Sequence, residues 1–108
     1  MSTWHRVAKI NELRAHRPHR VVVDGQGILL CRNGFSVHAL SEICPHRRVS
    51  MADGTIENGR LVCPHHRFAF ELEDGRSVEA LWPSITVYPV RRQDDEVFLQ
   101  LSSPDPND

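Results

Sequence analysis

Two short motifs of cysteine and histidine contain the residues best suited to bind a metal. Cys44 and His46 have one residue between them, and Cys63 and His66 have two. The sixteen residues from 47 to 62 separate the two motifs. Thiolates are soft ligands and imidazoles are borderline, so a set with two of each suits zinc or an iron–sulfur centre. The sequence therefore predicts a metal centre held by two separate loops.

A structural zinc site is one alternative, because two cysteines and two histidines also form a zinc ligand set. Zinc fingers usually place their two cysteines close together and then their two histidines close together. Here each half pairs one cysteine with one histidine, which is unlike a finger. The third cysteine, Cys31, lies in the apolar run GILLCR (27–32), and we predict that it is a small buried side chain and not a ligand.

The elements that must position these motifs are mostly short β-strands. Runs of β-forming residues are separated by dipeptides that favour tight hairpins, namely Asp24-Gly25, Asn33-Gly34, Asn58-Gly59 and Asp74-Gly75. Residues 11–19 leave room for one helical turn before Pro18. The segment between the motifs holds a hairpin of its own, so the two loops can return tip to tip. This pattern predicts an all-β protein, an antiparallel sandwich or barrel.

Composition limits the class of protein. A chain of 108 residues, 40% apolar and 25% charged, is typical of one soluble globular domain. The formal net charge of −1 gives no reason to expect a nucleic acid or an anionic membrane as partner. No apolar run is long enough to span a membrane, and MSTWHRVAKI (1–10) lacks the apolar core of a secretory signal, which predicts a cytoplasmic protein. Three cysteines, a low and odd number, argue against a disulfide framework.

The motif pair and its surroundings resemble the Rieske [2Fe–2S] family. The resemblance runs through CPH (44–46), DG (53–54), LVCPHH (61–66), FAFELEDG (68–75) and YPV (88–90). In that family the two cysteines hold one iron and the two histidines hold the other. The resemblance therefore implies one [2Fe–2S] cluster per chain, with Cys44 and Cys63 on the inner iron and His46 and His66 on the outer iron. The family spacing selects His66 over its neighbour His65.

The resemblance also implies an architecture. We expect a Rieske-type antiparallel β-sandwich over residues 1–101, with a small cluster-binding subdomain made of two loops at about residues 43–50 and 62–70. The polar, proline-rich stretch 102–108 is expected to be a flexible tail. Phe35 and Trp82 are expected to pack in the core.

The residues beside the expected ligands bear on reduction potential and on charge. High-potential members of the family carry a serine and a tyrosine after the second histidine, where this chain has Phe68 and Phe70. Because hydrogen bonds to the cluster sulfurs raise the potential, we expect a value toward the bottom of the Rieske range of about −150 to +300 mV. Many family members have glycine at the positions of Arg48 and Arg67. With Arg47, these arginines form either a solvated loop or a positive rim that steers an acidic partner.

By resemblance, the function is electron transfer and not catalysis by the chain alone. We expect a Rieske-type ferredoxin, a monomer when free, that passes one electron from a flavoprotein reductase to a terminal oxygenase of the ring-hydroxylating type. The alternative is the small Rieske subunit of an assimilatory nitrite reductase or of another multi-subunit oxidoreductase. An intact Rieske oxygenase would need a second, mononuclear iron site, for which 108 residues leave no room. A zinc-stabilised interaction module is the remaining alternative.

Overall fold

The computed structural model describes residues 3–45, 48–65, 67–79 and 83–101. Trp82 and the segment 102–108 lie outside these residues, as do His46, Arg47 and His66. The described residues form a 3₁₀ turn at Ile10–Glu12 and ten β-strands. The strands are His5–Lys9 (β1), His19–Val23 (β2), Gln26–Asn33 (β3), Ser36–Ser41 (β4), Thr55–Glu57 (β5), Arg60–Val62 (β6), Ala69–Glu71 (β7), Val87–Tyr88 (β8), Val90–Gln93 (β9) and Glu96–Leu99 (β10).

Two of the four turn dipeptides form the tight hairpins they predict, whereas the turn between β3 and β4 is Gly34-Phe35, one residue later than predicted, and Asp74-Gly75 does not directly join two of the strands. Asp24 and Gly25 join β2 to β3 with φ angles of 50° and 80°. Asn58 and Gly59 join β5 to β6 with φ angles of 52° and 74°. Two consecutive residues with positive φ are what a type I′ turn requires, and its twist matches that of the flanking strands. The Asn58-Gly59 turn thus fixes the pairing of the two strands that lead into the second cysteine motif, and the Asp24-Gly25 turn fixes that of β2 with β3.

The strands form three antiparallel sheets. Their strand orders are β1-β10-β9, β2-β3-β4-β8 and β5-β6-β7. The expectation of an all-β antiparallel fold is confirmed. The four-stranded sheet is central to the packing, because its longest strand, β3, contributes side chains to two separate hydrophobic cores.

Alternation along β3 explains how one strand supplies both cores. Ile28 and Leu30 belong to the core that also contains Val97 and Leu99 of β10. Leu29 and Cys31 belong to the other core, which the β5-β6-β7 sheet and both cysteine motifs complete. Successive side chains of a strand point to opposite faces, so a continuous apolar run marks a strand that is covered on both sides.

Two core expectations have opposite outcomes. Cys31 is fully buried, as expected. The expectation that Phe35 packs in the core is wrong, because its side chain is 87% exposed. Phe35 follows Gly34 in the turn between β3 and β4, and a residue at a hairpin tip extends beyond the layers that could cover it. Among the described residues, no helix has the length and apolar character needed to cross a membrane.

Candidate metal centre

The two expected cysteine ligands lie at the start of two loops. We define the first cluster loop as residues 43–50 and the second as residues 62–70. Cys44 follows β4, and Cys63 directly follows β6. The other two expected ligands, His46 and His66, lie outside the described residues, so the geometry of the site rests on the cysteines and the loops around them.

Both cysteine side chains are fully buried in the same hydrophobic core. Neither forms a disulfide, and the third cysteine, Cys31, lies in the same core and forms none either. Burial raises the pKa of Cys31 to about 12, which keeps it protonated and a poor metal ligand. The core thus brings together two thiols on loops and one on the central sheet, and only the loop thiols have a histidine nearby in sequence.

The first cluster loop is closed by backbone hydrogen bonds across its base. The Cys44 amide donates to the carbonyl oxygen of Val49 at 2.8 Å, and the Arg48 amide donates back to the carbonyl of Cys44 at 2.7 Å. One step further out, Ile43 and Ser50 form an isolated antiparallel bridge. These backbone contacts hold Cys44 in a tight turn by themselves, without a contribution from a metal.

The second cluster loop repeats this construction. The Cys63 amide donates to the carbonyl of Phe68 at 2.7 Å, again five residues ahead. Arg67 has a φ of 55° and Arg48 has a φ of 54°, and each lies four residues after its cysteine. The two loops therefore use one turn twice, with an arginine held in the left-handed conformation that usually favours glycine.

Of the three arginines beside the expected ligands, Arg47 lies outside the described residues, and the other two differ in their partners. The Arg67 guanidinium donates from Nη2 to both carboxylate oxygens of Glu57, at 3.0 and 3.1 Å. The Thr55 hydroxyl donates to the same carboxylate at 2.6 Å, and this bond and the one from Arg67 lower the pKa of Glu57. Arg48 is exposed, and its side chain makes no hydrogen bond or ion pair with the described residues. The charge of Arg67 is thus locally balanced, whereas no described side chain balances that of Arg48.

Aromatic side chains form one wall of the site. Phe70 is fully buried in the core that contains both loop cysteines, and Phe68 is partly buried against it. Neither side chain can donate a hydrogen bond. The surroundings expected to lower the reduction potential are therefore present on the second cluster loop.

The donor chemistry fits a metal cluster. Two cysteines that form no disulfide, fully buried in one core and presented by equivalent loops, match the cysteine half of a two-thiolate, two-imidazole ligand set. His65, the alternative to His66, is exposed. Within the described ranges alone, no three His, Cys, Asp or Glu side chains are grouped so as to hold a metal, since two of the expected ligands lie outside them.

Two carboxylates near the loops had no role in the sequence interpretation. Glu57 is paired with Arg67, and Glu42, two residues before Cys44, is buried. One available signal was Gly27, an isolated glycine inside β3, because such a glycine often marks the close approach of another group. The group that approaches it is the side chain of Glu42.

Comparison with known proteins identifies the family of this chain. The family model of the Rieske [2Fe–2S] domain matches residues 3–89. The anthranilate 1,2-dioxygenase ferredoxin subunit of Burkholderia cepacia is 26% identical over 102 residues, which are 94% of this chain and 94% of that protein.

Solved structures agree on the fold. The ferredoxin of carbazole 1,9a-dioxygenase from Nocardioides aromaticivorans IC177 is 26% identical, with a TM-score of 0.83 over 90% of this chain and 96% of that one. A Mycobacterium tuberculosis protein described as an NADH-dependent nitrite reductase small subunit has a TM-score of 0.86 over 95% of this chain and 98% of its own. At 23% identity, that likeness shows the fold alone. Because the family match spans both cluster loops, it confirms the resemblance and the [2Fe–2S] cofactor that the resemblance implied, and the chain belongs to the Rieske [2Fe–2S] domain family.

Proposed function

We propose that this chain is a Rieske-type ferredoxin that carries one electron from a flavoprotein reductase to a terminal oxygenase of the ring-hydroxylating type. The observation that carries the proposal is the pair of equivalent loops that bury two cysteines, neither of them in a disulfide, in one core. The ferredoxin subunit of the anthranilate 1,2-dioxygenase system, which matches over 94% of both chains, supports this choice among the functions of the family. We propose residues 1–101 as the cluster domain and 102–108 as a tail.

The ligands in this proposal are Cys44 and Cys63 for one iron and His46 and His66 for the other. When bound, the cluster supplies a one-electron redox couple. The chain holds the two cysteine ligands in a core without water access, since both side chains are fully buried. The hydrogen bonds across the base of each loop fix the cysteine backbones, so little rearrangement is needed when the charge at the site changes.

The reduction potential follows from the same surroundings. Phe68 and Phe70 offer no hydroxyl to the cluster sulfurs, so we propose a midpoint toward the bottom of the range of about −150 to +300 mV. The unpaired positive charge of Arg48 opposes this trend in part, because it favours the reduced cluster. A midpoint well above zero, measured by protein-film voltammetry, would contradict this assignment.

A docking surface lies beside the first cysteine. Ile43 is 46% exposed and immediately precedes Cys44, and Arg48 extends from the same loop without a carboxylate partner among the described residues. An apolar side chain next to an unpaired guanidinium fits a partner surface that combines an apolar area with carboxylates. We propose that the redox partners contact this loop.

The decisive experiment measures cofactor, ligands and electron transfer in sequence. Purified protein should contain two irons and two sulfides per chain and accept one electron in an anaerobic dithionite titration. The His66→Ala variant should lose the Rieske spectrum, whereas His65→Ala should keep it as the matched control. A colourless protein that holds zinc would refute the cofactor, and an intact spectrum in His66→Ala would refute the ligand assignment.

The alternative is a small subunit of a nitrite reductase, which is the description of the Mycobacterium tuberculosis protein that shares this fold. The two functions differ in how the chain associates. A carrier binds its partners briefly and is a monomer when free, whereas a subunit purifies in a stable complex with a large sirohaem protein. Sedimentation and co-purification from the native cell separate them, and reoxidation by an oxygenase would favour the carrier.

We propose a cytoplasmic location for the carrier. Three buried cysteines, none of them in a disulfide, agree with a reducing compartment. Neither a nucleic acid nor a membrane is included among the proposed partners, in line with the formal net charge of −1. Cell fractionation with an antibody against the chain would test the location.

A further inference from the structure

Glu42 is the one buried charged side chain among the described residues, with an exposure of 8%. It lies two residues before Cys44, at the base of the first cluster loop. A buried carboxylate is costly unless it is paired and hydrogen-bonded, so its presence here requires a compensating set of contacts.

Those contacts come from both sides of the loop. Arg20, on β2, donates from Nε to Glu42 Oε2 at 2.8 Å. Ser50, on the returning arm of the loop, donates its hydroxyl to the same oxygen at 2.6 Å. The Ser50 oxygen in turn accepts the amide of Ala52 at 3.1 Å. One carboxylate therefore links the loop arm that carries Cys44, the arm that returns from it, and the central sheet.

The backbone at the same place repeats this link. The Glu42 amide donates to the carbonyl of Gly27 at 3.2 Å, and the Met51 amide donates to the carbonyl of Glu42 at 2.8 Å. The other carboxylate oxygen, Oε1, occupies the space that a Cβ at position 27 would need. Glycine in the interior of β3 is thus what allows the carboxylate to lie against the central sheet.

We propose that Glu42 is a positioning residue of the cluster site. Its carboxylate fixes the spacing of the two arms of the first cluster loop, and through them the position of Cys44 relative to Cys63. The inference rests on the proposed assignment of these cysteines as cluster ligands. A second guanidinium–carboxylate pair, Arg6 with Glu96 at 2.6 Å, has the same chemistry but joins β1 to β10 in another sheet. It supplies a matched control.

The test uses the holoprotein and needs no redox partner. Glu42→Ala should lose its visible absorption about tenfold faster than wild type under mild denaturant and should shift the g-values of the reduced cluster, because the charged hydrogen bond between the buried Glu42 carboxylate and the half-exposed Arg20 is lost. Glu42→Gln, which keeps hydrogen-bonding groups of the same shape, should restore the g-values and bring the decay to within about threefold of wild type. It should also raise the midpoint potential, because Arg20 loses its counter-charge. Glu96→Ala should leave all three readouts unchanged.

Gly27→Ala is a second, independent variant that leaves the Glu42 carboxylate chemically unchanged. Its Cβ should displace the Glu42 side chain and reproduce the g-shift and fast decay of Glu42→Ala. The double variant should decay no faster than Glu42→Ala, since the two changes remove the same contact. Wild-type g-values with decay within twofold in both Glu42→Ala and Gly27→Ala would overturn the proposal. A chain that assembles the cluster but does not transfer electrons to an oxygenase would refute the proposed function. The test of Glu42 would still be valid, because its readouts need only the cluster.

Discussion

Replacing either left-handed arginine by glycine tests whether the cluster loops store backbone strain. Arg48 has a φ of 54°, a conformation that costs a non-glycine residue about 1–2 kcal/mol. Arg48→Gly removes that cost and keeps the backbone bond from residue 48 to the Cys44 carbonyl. Glycine also gives the unfolded chain more conformational freedom, which offsets about 0.5–1 kcal/mol of this stabilisation. We therefore expect a net stabilisation of about 0.5–1 kcal/mol, or about 2–5 °C in melting temperature.

Arg67→Gly is the matched variant, because Arg67 has the same backbone conformation but also a partner. Its φ is 55°, so the relief of strain should be equal. This variant also loses the ion pair with Glu57, whose carboxylate is exposed and screened. The gain should therefore be smaller than for Arg48→Gly, and the two variants should converge in 1 M NaCl, where the Debye length is about 3 Å.

The assay is the melting temperature of the holoprotein, followed by circular dichroism at low and high salt. Asp94→Gly, in the turn between β9 and β10, is the control, because Asp94 has a φ of 56° but aspartate tolerates this conformation better than arginine. Its gain should be the smallest of the three. A lower melting temperature in Arg48→Gly would refute the strain argument and would mean that the Arg48 side chain stabilises the loop.

Three further predictions concern residues around the site. Gly54→Ala should destabilise the protein by about 1–3 kcal/mol in urea titrations, because its Cβ would collide with the carbonyl of Val62, next to the second motif; a neutral result would contradict this packing. Burial lowers the pKa of His38 despite an opposing effect of Glu73, so the folded chain binds fewer protons than the unfolded chain. The melting temperature should therefore fall as the pH drops below about 6.5, and His38→Gln should reduce that fall; an equal pH dependence in the variant would exclude His38 as its source. Cys31→Ala should keep the visible spectrum and the cluster content of wild type, whereas loss of the cluster would make Cys31 a ligand.

The sequence by itself determined the features that depend on local chemistry. Type I′ turns need two residues with positive φ, so Asp24-Gly25 and Asn58-Gly59 predicted their hairpins from two letters each. The apolar run around Cys31 predicted that this thiol is buried, and the spacing of the cysteine and histidine motifs carried the resemblance to the family that the comparison confirms. Each of these signals is either a short stretch of a few residues or the spacing between the residues of a motif.

Only the tertiary structure decided which side chains meet across long separations. Phe35 looked like a core residue, but whether an aromatic side chain is covered depends on the layers around it, and at the tip of its hairpin the Phe35 side chain stays 87% exposed. Arg48 and Arg67 looked alike, yet only Arg67 has a carboxylate within reach. Glu42 resembled an ordinary surface residue, because its partners Arg20 and Ser50 are 22 and 8 residues away. Burial and charge pairing are properties of the packed chain, and local sequence does not encode them.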